Sequence, residues 1–313
     1  MYVALYHNPK AGLQSHTLED VARLLRDAHH EVAVFSRGDH PAAAAIAAHP
    51  EVVIAAGGDG TIAAMAKALW KRQACTPLYV LPLGTANNIA WSLGVTADVP
   101  ALVRGLASAR ETRLDIGVVQ AGKRTARFVE AAGSGFFGAA LHNENSFRER
   151  ARVAIRRLTH RPSTRDARVR EGARSIARRV RSAPTLRYEV LADGEDLSGD
   201  YIAVAAMNIR SIGPRMILAP DASSADGLLD LVLIRPEARR ALAKHIELQD
   251  AVRAVAIECR RVRDVELSWP EHGHLDDDPW PKRARLASHR RVQLSIGGSV
   301  RLLLPDTEER EVP

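Results

Sequence analysis

The residues best suited to chemistry are Gly57-Gly58-Asp59-Gly60-Thr61, which follow the apolar run Glu51 to Ala56 and precede Ile62, Met65, Ala66 and Leu69 at helical spacing. Glycines between a buried strand and an amphipathic helix let backbone amides approach a phosphate, and the helix N-terminus adds a favourable positive end. Thr61 can cap the helix or donate to a phosphate oxygen. A carboxylate beside phosphates is repelled unless a cation stands between them, so Asp59 is read as positioning magnesium, directly or through water. Taken alone the segment is equally a tight turn with an aspartate cap.

Two further loops strengthen the phosphate reading: Asn8-Pro9-Lys10-Ala11-Gly12 after the first strand, and Leu83-Gly84-Thr85-Ala86-Asn87-Asn88 after the fourth. Loops at the carboxyl ends of neighbouring strands in an open parallel sheet converge on one crevice. Lys10 would bring positive charge to it. Neither a Walker sequence nor a Gly-x-Gly-x-x-Gly dinucleotide fingerprint is present.

The elements that must hold these loops alternate strand and helix over residues 1–115, as a parallel α/β layer does. Strands are expected at Tyr2–Tyr6, Glu31–Phe35, Glu51–Ala56 and Leu78–Leu81, with helices at Leu18–Ala28, Pro41–Ala48, after Thr61 and through Trp91. From about Asp115 the pattern changes to strands separated by turns without regular intervening helices. They are expected at Asp115–Gln120, Arg127–Ala132, Leu186–Leu191, Tyr201–Met207, Leu229–Ile234 and beyond Val262. This predicts a second, mainly β domain over 116–299, interrupted by a basic helical insertion at 143–185. The apolar Leu294–Leu304 reads as a closing strand, with the chain end near 300–313 able to return to the first domain.

A chain of 313 residues with 46% hydrophobic composition can bury two ordinary cores. Cys75 and Cys259 form no Cys-x-x-Cys pair, so neither a disulfide framework nor a thiolate zinc site is suggested, and a cytoplasmic setting is expected. No signal peptide or membrane-spanning run is apparent. The net charge of +7 is local: Arg148 to Arg181 holds 13 arginines against three acids, while the remainder is slightly acidic. The window lacks aromatic residues after Phe147, which favours an anionic membrane surface over nucleic acid, against the plainer reading of a solvated helical pair.

The three loops, with Pro82-Leu83-Gly84-Thr85-Ala86-Asn87-Asn88 and the segment Ala219-Pro220-Asp221 through Asp226-Gly227-Leu228-Leu229-Asp230, resemble the diacylglycerol kinase catalytic-domain family, in particular its bacterial lipid kinase branch. Gly-Gly-Asp-Gly-Thr alone is shared with NAD kinases. The resemblance spans roughly residues 2 to 304 and implies an α/β domain with a parallel sheet, a β-sandwich-like second domain, and ATP between them. It implies nucleotide contacts at Asn8, Pro9, Lys10, Ala11, Gly12, Gly57, Gly58, Asp59, Gly60, Thr61, Gly84 and Thr85, and at Ser36, where the family often has threonine. It also implies a supporting Mg2+ site on Ser223, Asp226 and the carbonyl of Leu228; a bare Asp226-Gly227 turn is more often structural.

The family carries Asp-Gly-Glu late in its second domain, with an acidic residue proposed to accept the substrate hydroxyl proton. This chain reads His274-Leu275-Asp276-Asp277-Asp278. Asp276 keeps the aspartate, Asp277 replaces glycine, and Asp278 replaces glutamate with a shorter side chain. An extended segment would put Asp276 and Asp278 on one face, where neighbouring carboxylates favour a general base near neutrality. Ala63 and Ala64 stand where the family often has Asn and Glu, and Asn88 where aspartate is common.

The resemblance therefore implies an ATP- and Mg2+-dependent lipid kinase acting on a lipid hydroxyl such as diacylglycerol, with Asp276 or Asp278 as base, cytoplasmic or peripheral at the inner membrane face. A homo-oligomer is compatible with the sequence. The alternatives are a NAD kinase-like phosphotransferase and a non-catalytic nucleotide-binding regulator. No histidine pair has zinc spacing, and Gly133-Ser134-Gly135 lacks the spacing of a hydrolase nucleophile, reading instead as a glycine-rich strand end.

Overall fold

The computed structural model describes residues 1–12, 16–144, 164–248, 257–269, 273–281 and 290–306. The chain divides into two compact units. The first comprises Met1–Ile116, Ser224–Asp226 and Gly298–Pro313; the second comprises Gly117–Ser223 and Gly227–Gly297.

In the first unit, β1 (Tyr2–His7), α1 (Leu18–Asp27), β2 (Glu31–Ser36), α2 (Ala42–Ala47), β3 (Val52–Gly57), α3 (Asp59–Arg72), β4 (Leu78–Pro82), α4 (Asn88–Ser92) and α5 (Val99–Gly105) follow in order. The strands form a parallel sheet in the order β2-β1-β3-β4. The closing strand adds Leu302 and Leu303 in parallel beside Leu78 and Tyr79 of β4. Every residue of β3 is buried, as a central strand covered on both faces requires. Val21 and Leu25 of α1, and Ile62, Met65 and Leu69 of α3, supply fully buried side chains. A capping box starts α1, Thr17 accepting from the Asp20 N–H while Asp20 accepts from the Thr17 N–H.

The second unit is built on an antiparallel sheet. Its strands are β5 (Arg110–Ala121, entering from the first unit), β6 (Arg124–Phe128), β7 (Ala131–Gly135), β8 (Leu186–Tyr188), β9 (Val190–Ala192), β10 (Glu195–Asp196), β11 (Gly199–Tyr201), β12 (Ala203–Met207), β13 (Ser211–Ile212), β14 (Met216–Ile217), β15 (Leu229–Ile234), β16 (Glu258–Val262), β17 (Asp264–Trp269), β18 (Gly273–Leu275), β19 (Asp278–Trp280) and β20 (Arg290–Leu304). One sheet runs β16-β15-β12-β7-β18-β19. A second antiparallel layer contains β10, β9, β17 and the first part of β20.

Strand alternation divides the core. Val204 and Ala206 of β12 join Val190, Leu267, Val292 and Phe128 in the cluster between the sheets, which makes the unit sandwich-like. Ala203, Ala205 and Met207 point the other way, into a cluster with Phe136, Ala173, Ile176, Val180, Leu242 and Ile246. That face is covered by helices Phe136–Glu144, Arg165–Arg181 and Arg239–Leu248.

Helix Arg165–Arg181 falls within the stretch expected as a basic helical insertion, whereas Phe136–Glu144 and Arg239–Leu248 correct the expectation of strands without regular intervening helices. Those two are only 9 and 10 residues long, too short for a clear helical period, and owe their helicity to an apolar stripe laid on the sheet. Helix Arg165–Arg181 buries Val169, Ala173, Ile176, Ala177 and Val180, so one face of this part of the basic window packs into the core while Arg170, Arg174, Arg178 and Arg181 stay exposed. The arginines of the window from 148 to 161 lie outside the described residues. The expected strand Arg127–Ala132 is also interrupted, at Val129 and Glu130, between β6 and β7. Among the described residues no helix is long and apolar enough to cross a membrane.

Candidate functional site

The carboxyl ends of four strands in the first unit lie level. His7 faces Ser36 and Ala56 across the sheet, and Gly57 faces Pro82. The ladder continues into the loops, with Arg37 N–H donating to His7 O at 2.7 Å, Asn8 N–H to Ala56 O at 2.9 Å, and Leu83 N–H to Gly57 O at 2.8 Å. The three loops singled out in the sequence therefore leave one edge together. Among their residues, Pro9 and Lys10 are exposed, Ala11 is buried, and Ser36, Gly58 and Thr85 are half-buried.

Three of the glycines also have a packing role. A Cβ on Gly84 would collide with Gly58 Cα and lie 2.5 Å from Asn87 Oδ1; one on Gly57 would strike Thr61, and one on Gly12 the carbonyl of Leu83. Gly84 and Gly12 let the loops pack against each other, and Gly57 leaves room for Thr61 of its own turn. Gly60 alone differs, because it is exposed and a Cβ there would meet nothing nearer than Arg37 Nη1 at 3.7 Å. No side chain caps α3 at Gly58. The Thr61 and Ile62 amides donate to Gly58 O at 2.8 and 3.2 Å, so among the described residues the exposed Gly60 amide is the first-turn donor that suits an anion.

Side chains complete the link. Asn8 Nδ2 donates to Thr61 Oγ1 at 3.3 Å, and Asn8 Oδ1 accepts the Lys10 N–H at 3.1 Å. Arg37 Nη1 donates to the same Thr61 oxygen at 2.9 Å. The buried Asp59 carboxylate accepts the Ile89 N–H at 2.9 Å, tying the start of α3 to the start of α4. Asn87 begins α4 in the left-handed conformation, φ 52°, and donates to Pro82 O at 3.1 Å. Sequence reasoning missed Arg37, and placed Asn87 only within its motif, without a role of its own. Arg37 had a usable signal, since it stands one residue beyond Ser36 at the same sheet edge.

In the second unit the acidic segment is a tight turn, not an extended run, which corrects the expectation that Asp276 and Asp278 share a face. Leu275 pairs with Asp278 across the β18–β19 hairpin, leaving Asp276 and Asp277 as its tip. Asp276 adopts φ 51° and is buried, while Asp277 and Asp278 are exposed. Asp276 Oδ1 accepts the N–H groups of Val129 and Glu130 at 2.8 and 2.7 Å, and the Asp276 N–H donates to Ala131 O at 2.8 Å. This is the interruption between β6 and β7. The carboxylate oxygen substitutes for the ladder partners those amides lack.

Around the turn lie further buried polar groups that the sequence did not single out. Asn208 donates from its side chain to Val129 O at 2.8 Å and from its backbone to Glu130 O at 2.9 Å. His274, 1% exposed, places Nδ1 3.1 Å from Asp276 O and packs edge-on against Phe137 at 4.7 Å between centroids. Burial holds its imidazole down to a pKa of about 4, so it is neutral near pH 7 and Nδ1 carries the donated proton.

Of the expected cation ligands, Ser223 and Asp226 are exposed and Leu228 is half-buried; Ser223 and Leu228 belong to the second unit and Asp226 to the first. A hydroxyl, a carboxylate and a carbonyl are oxygen donors suited to a hard cation whose remaining shell is water. The donor chemistry therefore fits Mg2+.

An α/β unit with joined polar loops at one sheet edge, and a β-sandwich unit bearing an acidic hairpin, define a class that comparison with known proteins specifies. The model of the diacylglycerol kinase catalytic domain matches residues 2–119, and that of the YegS C-terminal NAD kinase β-sandwich-like domain matches residues 154–278. A protein of Cronobacter sakazakii named "Probable lipid kinase YegS-like" is 31% identical over 231 residues, 70% of each chain. A "Diacylglycerol kinase" of Mycobacterium tuberculosis is 26% identical over 236 residues, 70% of this chain and 71% of its own. The crystal structure of a diacylglycerol kinase from Bacillus anthracis superposes with a TM-score of 0.65 at 17% identity, covering 97% of both chains. The chain belongs to the diacylglycerol kinase catalytic-domain family, in its bacterial lipid kinase branch.

Proposed function

We propose that this lipid kinase transfers the γ-phosphate of ATP to a lipid hydroxyl, diacylglycerol being the first acceptor to test. The observation that carries the reading is the joining of Asn8, Gly58, Thr61 and Gly84 at one sheet edge beside the uncapped start of α3. Backbone amides there suit phosphate oxygens, and Asp59 keeps negative charge nearby, which suits a nucleotide carrying Mg2+. Mg2+ would be held by Ser223, Asp226 and the Leu228 carbonyl, and supplies charge neutralisation when bound.

Asp278 is the base in this proposal. It takes the hydroxyl proton while the oxygen attacks the γ-phosphorus, the bond to the β,γ-bridging oxygen breaks, and ADP leaves. Asp276 positions the turn, because its oxygen already accepts two amide protons. Arg170, Arg174, Arg178 and Arg181 lie exposed along helix Arg165–Arg181, and we assign that face to transient contact with anionic membrane.

Labelled-ATP transfer to diacylglycerol, a sphingoid base, phosphatidylglycerol and NAD tests the assignment. Transfer to a lipid that is lost in Asp278→Asn supports it. ATP binding without transfer to any acceptor replaces it with the regulator reading, which Ala63, Ala64 and the shortened Asp278 favour, and transfer to NAD alone replaces it with the NAD kinase-like one. Liposome binding unchanged by reversing charge at Arg170, Arg174 and Arg178 removes the membrane contact.

A further inference from the structure

Arg37 is a cation at the sheet edge with no counter-ion among the described residues. Its backbone is held by His7 O at 2.7 Å, and its guanidinium donates to Thr61 Oγ1 at 2.9 Å. Thr61 is 0% exposed, and Asn8 Nδ2 reaches the same oxygen at 3.3 Å. Both lone pairs of that hydroxyl are therefore engaged, and the guanidinium is fixed against a buried atom rather than swinging in solvent. No carboxylate lies within ion-pair distance of Arg37 among the described residues.

The two terminal nitrogens of Arg37 would lie 3.7 and 3.9 Å from a Cβ built on Gly60. Gly60 is exposed and belongs to the uncapped first turn of α3. A helix start and a fixed guanidinium thus face the same open point, and most of the five guanidinium donors are left for an incoming group. A planar fork of that kind matches phosphate oxygens. Lys10, the cation expected from sequence, is exposed, and its only bond among the described residues is through its backbone N–H to Asn8.

We propose that Arg37 is the phosphate-gripping cation of the nucleotide site, oriented by Thr61 and Asn8, and that Gly60 is glycine so that a phosphate can lie against it. The inference rests on the nucleotide-binding reading above. Arg37 reads polyphosphate charge and makes no demand on the base, so the ligand class is a nucleoside di- or triphosphate.

The test uses the full chain and the variants Arg37→Gln, Arg37→Lys and Lys10→Gln, titrated with Mg-ATP by calorimetry at low and moderate salt, with thermal melts as a check on folding. Glutamine can still donate to Thr61 but carries no charge, whereas lysine keeps the charge. The expected result is ATP binding at least tenfold weaker in Arg37→Gln than in Arg37→Lys, a smaller loss in Lys10→Gln, and a shallower salt dependence in Arg37→Gln than in wild type. Equal affinities in Arg37→Gln and Arg37→Lys, or a larger loss in Lys10→Gln, overturn it. If wild type binds no ATP, the nucleotide reading itself falls; wild-type binding that Arg37→Gln leaves intact removes only the role of Arg37.

Discussion

The Glu130 N–H donates to Asp276 Oδ1 across 2.7 Å and 146 residues of chain, and with the Val129 N–H beside it this bond makes the acidic hairpin a fixed object. Two amides at the break between β6 and β7 depend on that oxygen. Asp276→Ala is expected to destabilise the chain by about 2–4 kcal/mol, since each stranded buried donor costs roughly 1–3 kcal/mol. Asp276→Asn, which keeps an acceptor, should cost less. The exposed Asp278→Asn should stay within about 0.5 kcal/mol of wild type. Urea denaturation checks all three, and equal midpoints for Asp276→Ala and Asp278→Asn would contradict the assignment of roles.

Asp59 and Ile89 give a second test. The buried carboxylate accepts the Ile89 N–H at 2.9 Å, so Asp59→Ala should lose about 1.5–3 kcal/mol in stability apart from any effect on activity. Amide hydrogen exchange should quicken at the start of α4. Unchanged protection of Ile89 would show that the tie is dispensable.

Glycines of one loop set should respond differently to the same methyl group. Gly84→Ala drives a Cβ into Gly58 and is expected to cost about 1–3 kcal/mol. Gly60→Ala meets no atom closer than 3.7 Å, so its stability should lie near wild type while ATP affinity falls. Thermal melts paired with ATP titration separate the cases.

Burial of His274 links stability to pH. Its folded pKa, about 4, lies below the usual value of 6.5, so the unfolded chain binds the proton more readily between those values. Stability contributed by the neutral imidazole is present above pH 6.5 and is lost as pH falls toward 4. The loss between pH 7 and pH 5 should be roughly 2 kcal/mol. His7, lowered chiefly by burial, acts in the same direction. Urea midpoints of wild type and His274→Gln at the two pH values measure the effect, and parallel behaviour would refute it.

The sequence by itself determined the α/β layer and its polar loops. An all-buried β3 needs a continuous apolar run, and the close turn from it into α3 needs glycine, so both leave local marks in residues 51 to 62. It also located the acidic segment and the sandwich strand Leu229–Ile234, whose bounds are those expected.

Only the tertiary structure decided which groups those marks serve. Asp276 and Glu130 meet through a register that no local pattern encodes, and the same carboxylate that looked like a second base holds a broken strand together. Gly12, Gly58 and Gly84 of the cradle answer to backbones from distant loops. Arg37 became a candidate because Thr61, 24 residues away, holds it. Spacing along the chain reports faces and caps, which depend on neighbours in sequence; partnership between side chains depends on strand order and register, which emerge when the sheet closes.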